Sequence, residues 1–284
     1  MDVWVLVTIA IIIGSIVLSA WKQISFSIVA SVACVAIFLI MAVADTMGEL
    51  EFMPRDLVDA SRFYTVLTSM YTHFDFFHLF YNILGLAFIG IIFEQRIGTR
   101  PFILLYLLSG LAGTLAFAAI YWNNMSVAVI GASGAISGVL GGFARLFPNE
   151  RMAMLMFFVP LPPMPIWIIV GIFVFIQVFF LGGTNIAIEA HLGGLAAGVI
   201  LAPLVVRIPR SSGKMKRTIS AQSLRKLAVT SELKSILSRI ENEEVPDVRS
   251  AWIEHFISKA QCPHCGAKVV ATRGGVRCER GHLL

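Results

Sequence analysis

Charge is scarce in this chain of 284 residues. Only 14% are Asp, Glu, Lys or Arg, while 57% are hydrophobic. A soluble globular domain carries about 25% charged and about 45–50% apolar residues. The shortage excludes an ordinary soluble enzyme, and the apolar content excludes disorder for most of the length. Cysteine is scarce too. Of four, Cys34 sits inside an apolar run as a small buried group and the other three lie near the C-terminus, so nothing points to a disulfide framework. The few charges are unevenly spread. Residues 1–206 hold 7 Lys+Arg against 10 Asp+Glu, a balance of −3, and residues 207–284 hold 15 against 7, a balance of +8. The chain is an apolar body with a basic tail.

A membrane-spanning helix needs about 20 mostly apolar residues. Seven runs qualify as spans: 3–20, 24–44, 76–93, 102–122, 127–147, 166–181 and 186–206. The first lacks a basic start and an evident cleavage motif, so it reads as a retained helix rather than a signal peptide. Lys22, Arg96, Arg100, Arg145 and Arg151 follow spans one, three and five, and the most basic segment follows span seven. The positive-inside rule then places the N-terminus outside and the C-terminal tail in the cytoplasm of a multi-pass cell-membrane protein.

Polar groups inside spans are costly and mark function by default. Here they are few and grouped. His78 and Asn82 are four apart and share a helix face. Ser133 stands in Gly131-Ala132-Ser133-Gly134, and His191 precedes Gly194 and Gly198. Gly134, Gly138 and Gly142 recur at spacing four, as do Gly194 and Gly198, a pattern that lets helices approach closely. Such an approach would bring Ser133 to His191. A histidine beside a serine can take its proton during attack on a carbonyl. His78 and Asn82, with the serine's own backbone N–H, would donate to the resulting oxyanion. Taken singly, these features also fit close packing, a serine bonded to its own helix, or a proton path. The soluble hydrolase elbow G-x-S-x-G is absent, because Ala135 replaces its last glycine.

Taken together the motifs resemble the rhomboid family of intramembrane serine proteases. His73-x4-His78-x3-Asn82, Gly131-Ala132-Ser133-Gly134, Ala190-His191-x2-Gly194-x3-Gly198 and Glu94-Gln95-Arg96-x-Gly98 are similar to its motifs in order and in span placement, over residues 24–206. The resemblance implies an all-α polytopic membrane protein. A six-helix core, 24–206, would follow one extra N-terminal transmembrane helix, 1–23, and precede a small cytoplasmic tail. It implies a Ser133–His191 dyad with no acidic third member, His78 and Asn82 in the oxyanion hole, and a structural His73 near the outer surface. It implies a serine endopeptidase that cleaves transmembrane segments of single-span or polytopic substrates without a catalytic cofactor. Two departures stand out. The Trp-Arg often found before the histidine motif is replaced by residues 64–70, within an amphipathic 45–72 loop expected at the outer interface. Ser137 stands where some members have a tyrosine against the base, so orientation of His191 must rest on other contacts.

The tail divides in two. Residues 207–258 begin with a basic linker, 207–217, which suits anionic lipid head groups. It is short and lacks aromatic interleaving, so nucleic acid is not expected. Leu224, Leu227, Leu233, Ile236, Leu237 and Ile240 form a helical stripe, and Trp252 and Phe256 mark another short helix. Residues 259–284 place Cys262 and Cys265 before Cys278 and His282, with Gly274-Gly275 between the pairs. This resembles a zinc ribbon: a hairpin holding structural Zn2+ in a closed thiolate–imidazole site. His264 is an alternative to His282.

A catalytically silent rhomboid-like protein that binds membrane clients is the competing reading, against which the intact serine and histidine argue. A transporter would need charged pairs in the spans or inverted repeats, and neither is evident.

Overall fold

The computed structural model describes residues 2–156, 159–180, 186–208, 221–243, 246–272 and 275–282. Most of the basic linker, the end of the 166–181 run and Gly274 of the expected tail turn lie outside them. The chain divides into two compact units, Met1–Ser211 and Ser212–Leu284.

The first unit is a helical bundle. Among the described residues, five helices are long and apolar enough to cross a membrane: α1 (Val3–Lys22), α2 (Phe26–Ala44), α3 (Phe76–Ile97), α4 (Thr99–Ile120) and α7 (Ile188–Val205). Two expected spans are shorter, with 14 residues each: α5 (Ser133–Leu146) and α6 (Ile166–Phe179). The physical reason at α5 is local. Gly131 has φ +113°, which a helix cannot contain, so α5 cannot begin before it. Val129 exchanges two backbone hydrogen bonds with Phe52, at 3.2 and 2.8 Å. One feature was not expected: a hairpin of β1 (Arg151–Met156) and β2 (Val159–Pro165) joins α5 to α6.

Helix α1 turns Thr8, Ile12, Ser15 and Ser19 inward and leaves Leu6, Ile13 and Val17 exposed. The small inward side chains let it lie close to α2. Helix α2 has no cap of its own. The Glu94 carboxylate, on α3 and only 3% exposed, accepts from Ser25 Oγ (2.7 Å), Phe26 N (2.7 Å), Ser27 N (2.9 Å) and Ser27 Oγ (2.8 Å). An acid from another helix therefore satisfies the orphan donors of the first turn and complements the helix dipole. Removing a charged acceptor strands four donors, so Glu94→Ala is expected to destabilise the bundle by about 3 kcal/mol. Unfolding in detergent micelles measures this, and an unchanged midpoint would contradict it. Nearby, Arg96 pairs with Glu150, and Gly98, at φ +93°, turns the chain from α3 into α4.

Residues 45–72 form an ordered cover of short turns. Buried Asp56 accepts from Met53 N (3.0 Å), Arg62 Nε (3.2 Å) and Thr65 Oγ1 (3.0 Å). Thr68 Oγ1 donates to Leu50 O at 2.8 Å.

The second unit contains α8 (Ala221–Leu227), α9 (Ser231–Asn242), α10 (Pro246–Lys259) and an antiparallel hairpin of β3 (Val269–Thr272) and β4 (Gly275–Cys278). Thr230 caps α9 through Leu233 N. All six residues of the apolar stripe are buried, divided between α8 and α9, and they pack with Phe256, Val269 and Val276. Trp252 lies on α10, where Arg239 stacks on it at 5.0 Å.

Candidate functional site

The site is built where α3, α5, α6 and α7 meet. Ser133 opens α5, and His191 lies near the start of α7. His191 Nε2 is 2.7 Å from Ser133 Oγ. The approach rests on glycine, partly in the expected pattern. A Cβ on Gly194 would overlap the Gly134 carbonyl oxygen, and one on Gly198 would overlap that of Gly138. The third pair differs. Gly142 faces Leu105 of α4 first, with Ala202 behind, while Gly141 meets the Leu195 carbonyl of α7. From α4, Gly113 lies against the Ala190 carbonyl. Helix α7 therefore seats on two helices through nearly bare backbone.

Asp75 caps α3 by accepting from His78 N at 2.8 Å. His78 Nδ1 accepts from Phe74 N at 3.4 Å, which leaves Nε2 to carry the proton of the neutral ring. That nitrogen faces Gly131, where a Cβ would stand 2.5 Å from it. Glycine is therefore needed at 131 for backbone conformation and for space. Asn82 Nδ2 donates to His78 O at 2.8 Å, using one of its two hydrogens, and Asn82 lines the same cavities as Ser133 and His191. His73 is completely buried. Its Nε2 accepts from Ala132 N at 3.4 Å, and its ring meets His78 edge-on at 5.1 Å. It braces the segment that leads into Ser133.

The position four residues after the serine is filled by Ser137, whose hydroxyl donates to Ser133 O at 2.7 Å. Contacts to the His191 ring come from α6 instead: Phe173 at 6.3 Å between ring centres, and Gln177, whose Oε1 lies 3.1 Å from Nδ1. Gln177 was not anticipated, although it is the one polar side chain in its span. A cavity of about 700 Å³ opens onto Ser133, His191, His78 and Asn82 from the side of the 45–72 cover. A smaller one, about 170 Å³, lies between α3, α5 and α6, with Ile136, Leu140, Ile169 and Phe173 in its walls. A serine oxygen bonded to a bare imidazole nitrogen can pass its proton to the ring as it attacks a carbonyl. Donors beside it can stabilise the negative oxygen that forms.

The rhomboid domain matches residues 60–208, more than half of the chain. The chain belongs to the rhomboid family. This rhomboid is 28% identical to RHOMBOID-like protein 2 of Arabidopsis thaliana over 200 residues, which cover 65% of the chain and 55% of that relative. It is 29% identical to Rhomboid protease GluP of Bacillus subtilis over 176 residues, 62% of the chain and 32% of the relative. It is 35% identical to Inactive RHOMBOID-like protein 8 of Arabidopsis thaliana over 101 residues, 35% of the chain and 28% of the relative. The chain thus spans little more than half, at most, of these relatives. Family and helices together make it a multi-pass membrane protein, and its relatives include one named a protease and one named inactive.

In the second unit, Cys262, Cys265, Cys278 and His282 converge, with ligand atoms all within 4.8 Å of one another, a set that could hold a metal ion. Two tight turns present them. Gly266, at φ +68°, donates to Cys262 O at 2.8 Å, and Gly281, at φ +93°, donates to Cys278 O at 2.9 Å. Burial pushes the Cys278 thiol up, but backbone N–H groups of His282 and Arg280 and the neighbouring thiols outweigh this and hold it at about 6. A thiolate is therefore available near neutral pH. His264 stands outside the four-membered set, its ring 5.7 Å from that of His282.

Proposed function

We propose that this rhomboid is an intramembrane serine endopeptidase. Ser133 is the nucleophile, His191 the general base, and His78 and Asn82 the oxyanion donors. The observation that carries the reading is the 2.7 Å contact between Ser133 Oγ and His191 Nε2. A proton passes from the hydroxyl to the ring as Oγ adds to the peptide carbonyl. The ring then gives that proton to the leaving amine, and water repeats the sequence to release the acid. The substrates are membrane-spanning segments of other proteins. Charge placement supports an N-terminus outside the cell membrane and a cytoplasmic tail, with the 207–217 linker on anionic head groups. Incubation of the purified protein with a panel of single-span substrates tests the activity. A fluorophosphonate probe should label wild type and leave Ser133→Ala unlabelled. Failure to label Ser133 would favour a silent client-binding protein instead.

We infer that the tail site takes structural zinc. Two thiolates at tetrahedral angles about 2.3 Å from one ion stand about 3.8 Å apart, and the Cys265 and Cys278 sulfurs are 3.7 Å apart. Thiolates with an imidazole are the ligand types a closed structural zinc site takes. Purified protein is expected to carry about one zinc per chain, and Cys278→Ser about none. Elemental analysis decides, and equal zinc in both would refute the site.

A further inference from the structure

Gln177 lies on α6, far in sequence from every motif of the site. It is 5% exposed and the one polar side chain in an otherwise apolar helix. Burying an amide is unfavourable unless a partner satisfies it. Here the partner is the base itself: Gln177 Oε1 is 3.1 Å from His191 Nδ1.

The consequence follows from the chemistry of a neutral imidazole, which carries one proton on one of two nitrogens. To take the serine proton, Nε2 must be bare, so Nδ1 must carry the hydrogen. Without an acceptor at Nδ1 the ring would gain by placing its proton on Nε2 and donating to Ser133 Oγ, the reverse of what attack requires. A carboxylate commonly fixes this choice in serine hydrolases. Here the atom facing Nδ1 is an amide oxygen, and Ser137 supplies no ring to brace the imidazole. We propose that Gln177 is a positioning residue that holds His191 in the tautomer with the proton on Nδ1. This rests on the dyad reading above. As Oγ attacks, its proton moves to Nε2, the Nδ1 hydrogen stays on the ring, and the Gln177 carbonyl dipole faces the cation so formed. An amide does this without placing a second buried charge in the bundle. The opposite amide orientation would present NH2 to Nδ1 and force the proton onto Nε2.

Two measurements on the full-length protein in micelles test the proposal. The first is the nitrogen NMR spectrum of protein with 15N-labelled histidine, with the His191 signals identified by their loss in His191→Ala. Wild type should show the hydrogen on Nδ1, and Gln177→Met, of similar length but with no strong acceptor, should lose that signature. The second is cleavage of a membrane substrate. Gln177→Met is expected to lower kcat about 10–100-fold, the usual effect of removing a group that orients a reacting residue, with KM unchanged. Gln177→Glu restores an acceptor and should keep kcat within about threefold of wild type. Wild-type turnover in Gln177→Met, equal losses in both variants, or an Nε2-protonated ring in wild type would each overturn the proposal. The spectrum answers even if the protein cleaves nothing. An inactive wild type with the expected spectrum would refute the protease reading and leave the role of Gln177 in place.

Discussion

Ser133→Ala is expected to abolish cleavage of a membrane substrate, lowering kcat by at least about 10⁴-fold. On the dyad reading the hydroxyl oxygen forms the new bond, and it is the group that His191 Nε2 meets, at 2.7 Å. His191→Ala should be equally damaging, because a serine without its base is a poor nucleophile. The double variant should be no worse than either single one, since paired groups act as one unit. The protein should stay folded. Ser133 begins α5, where alanine is well tolerated, and the lost hydrogen bond is worth about 1 kcal/mol. Gel-resolved cleavage against protein concentration measures the first effect, and a melting curve in micelles the second. Residual activity near wild type with an intact fold would end the dyad reading.

Gly198→Ala should do its damage by another route. The added methyl would fall on the Gly138 carbonyl oxygen, well inside any non-bonded distance. Backbone cannot rotate out of the way as a side chain can, so α5 and α7 must part. Overpacking of this kind costs about 3 kcal/mol. The dyad straddles the same two helices, and a misplacement of about 1 Å can cost about 100-fold in rate. Gly198→Ala should therefore lose both stability and turnover, whereas Ser133→Ala loses turnover alone. Gly14 and Gly171 make the control, because a Cβ there meets nothing within 4 Å. Alanine at either is expected to be neutral or stabilising by up to about 1 kcal/mol, since it favours helix. Melting temperatures and cleavage rates of the three variants, taken side by side, check the contrast. A Gly198→Ala protein as stable as wild type would show that the seam can yield.

Much of this was legible in the sequence, and for a definite reason. In an apolar solvent polar residues are rare, so each one found there carries information. Ser133, His191, His78 and Asn82 could be paired from inventory and from glycine spacing, and the structure brings them to one cavity. The spacing rule failed at Gly142 because a straight helix turns its four-residue stripe gradually away from its neighbour. By the third repeat the stripe faces α4, and Gly141 takes over against α7. Gln177 carried the same kind of signal as the histidines. It went unread because an uncharged amide in a run defined by its lack of charge draws no notice. The β1–β2 hairpin lacks a legible pattern, with four prolines in β2 that argue against a strand. The role of Glu94 could not be read either. Its partners are backbone N–H groups and serines some 68 residues away, and any helix start would look the same in sequence.

The bridge between Phe52 and Val129 has a consequence for how the cavity can open. Residues 45–72 cover the site, and the stretch leading into Ser133 is its floor. The two are stitched together by the Phe52–Val129 pair and by Gly131 N donating to Ser69 O at 2.8 Å. Lifting this roof pulls on Gly131, whose placement sets the gap that His78 Nε2 faces. On the protease reading, admission of a guest and the readiness of His78 and Asn82 as donors are thus mechanically one variable, and a route that left the roof in place would leave the floor undisturbed.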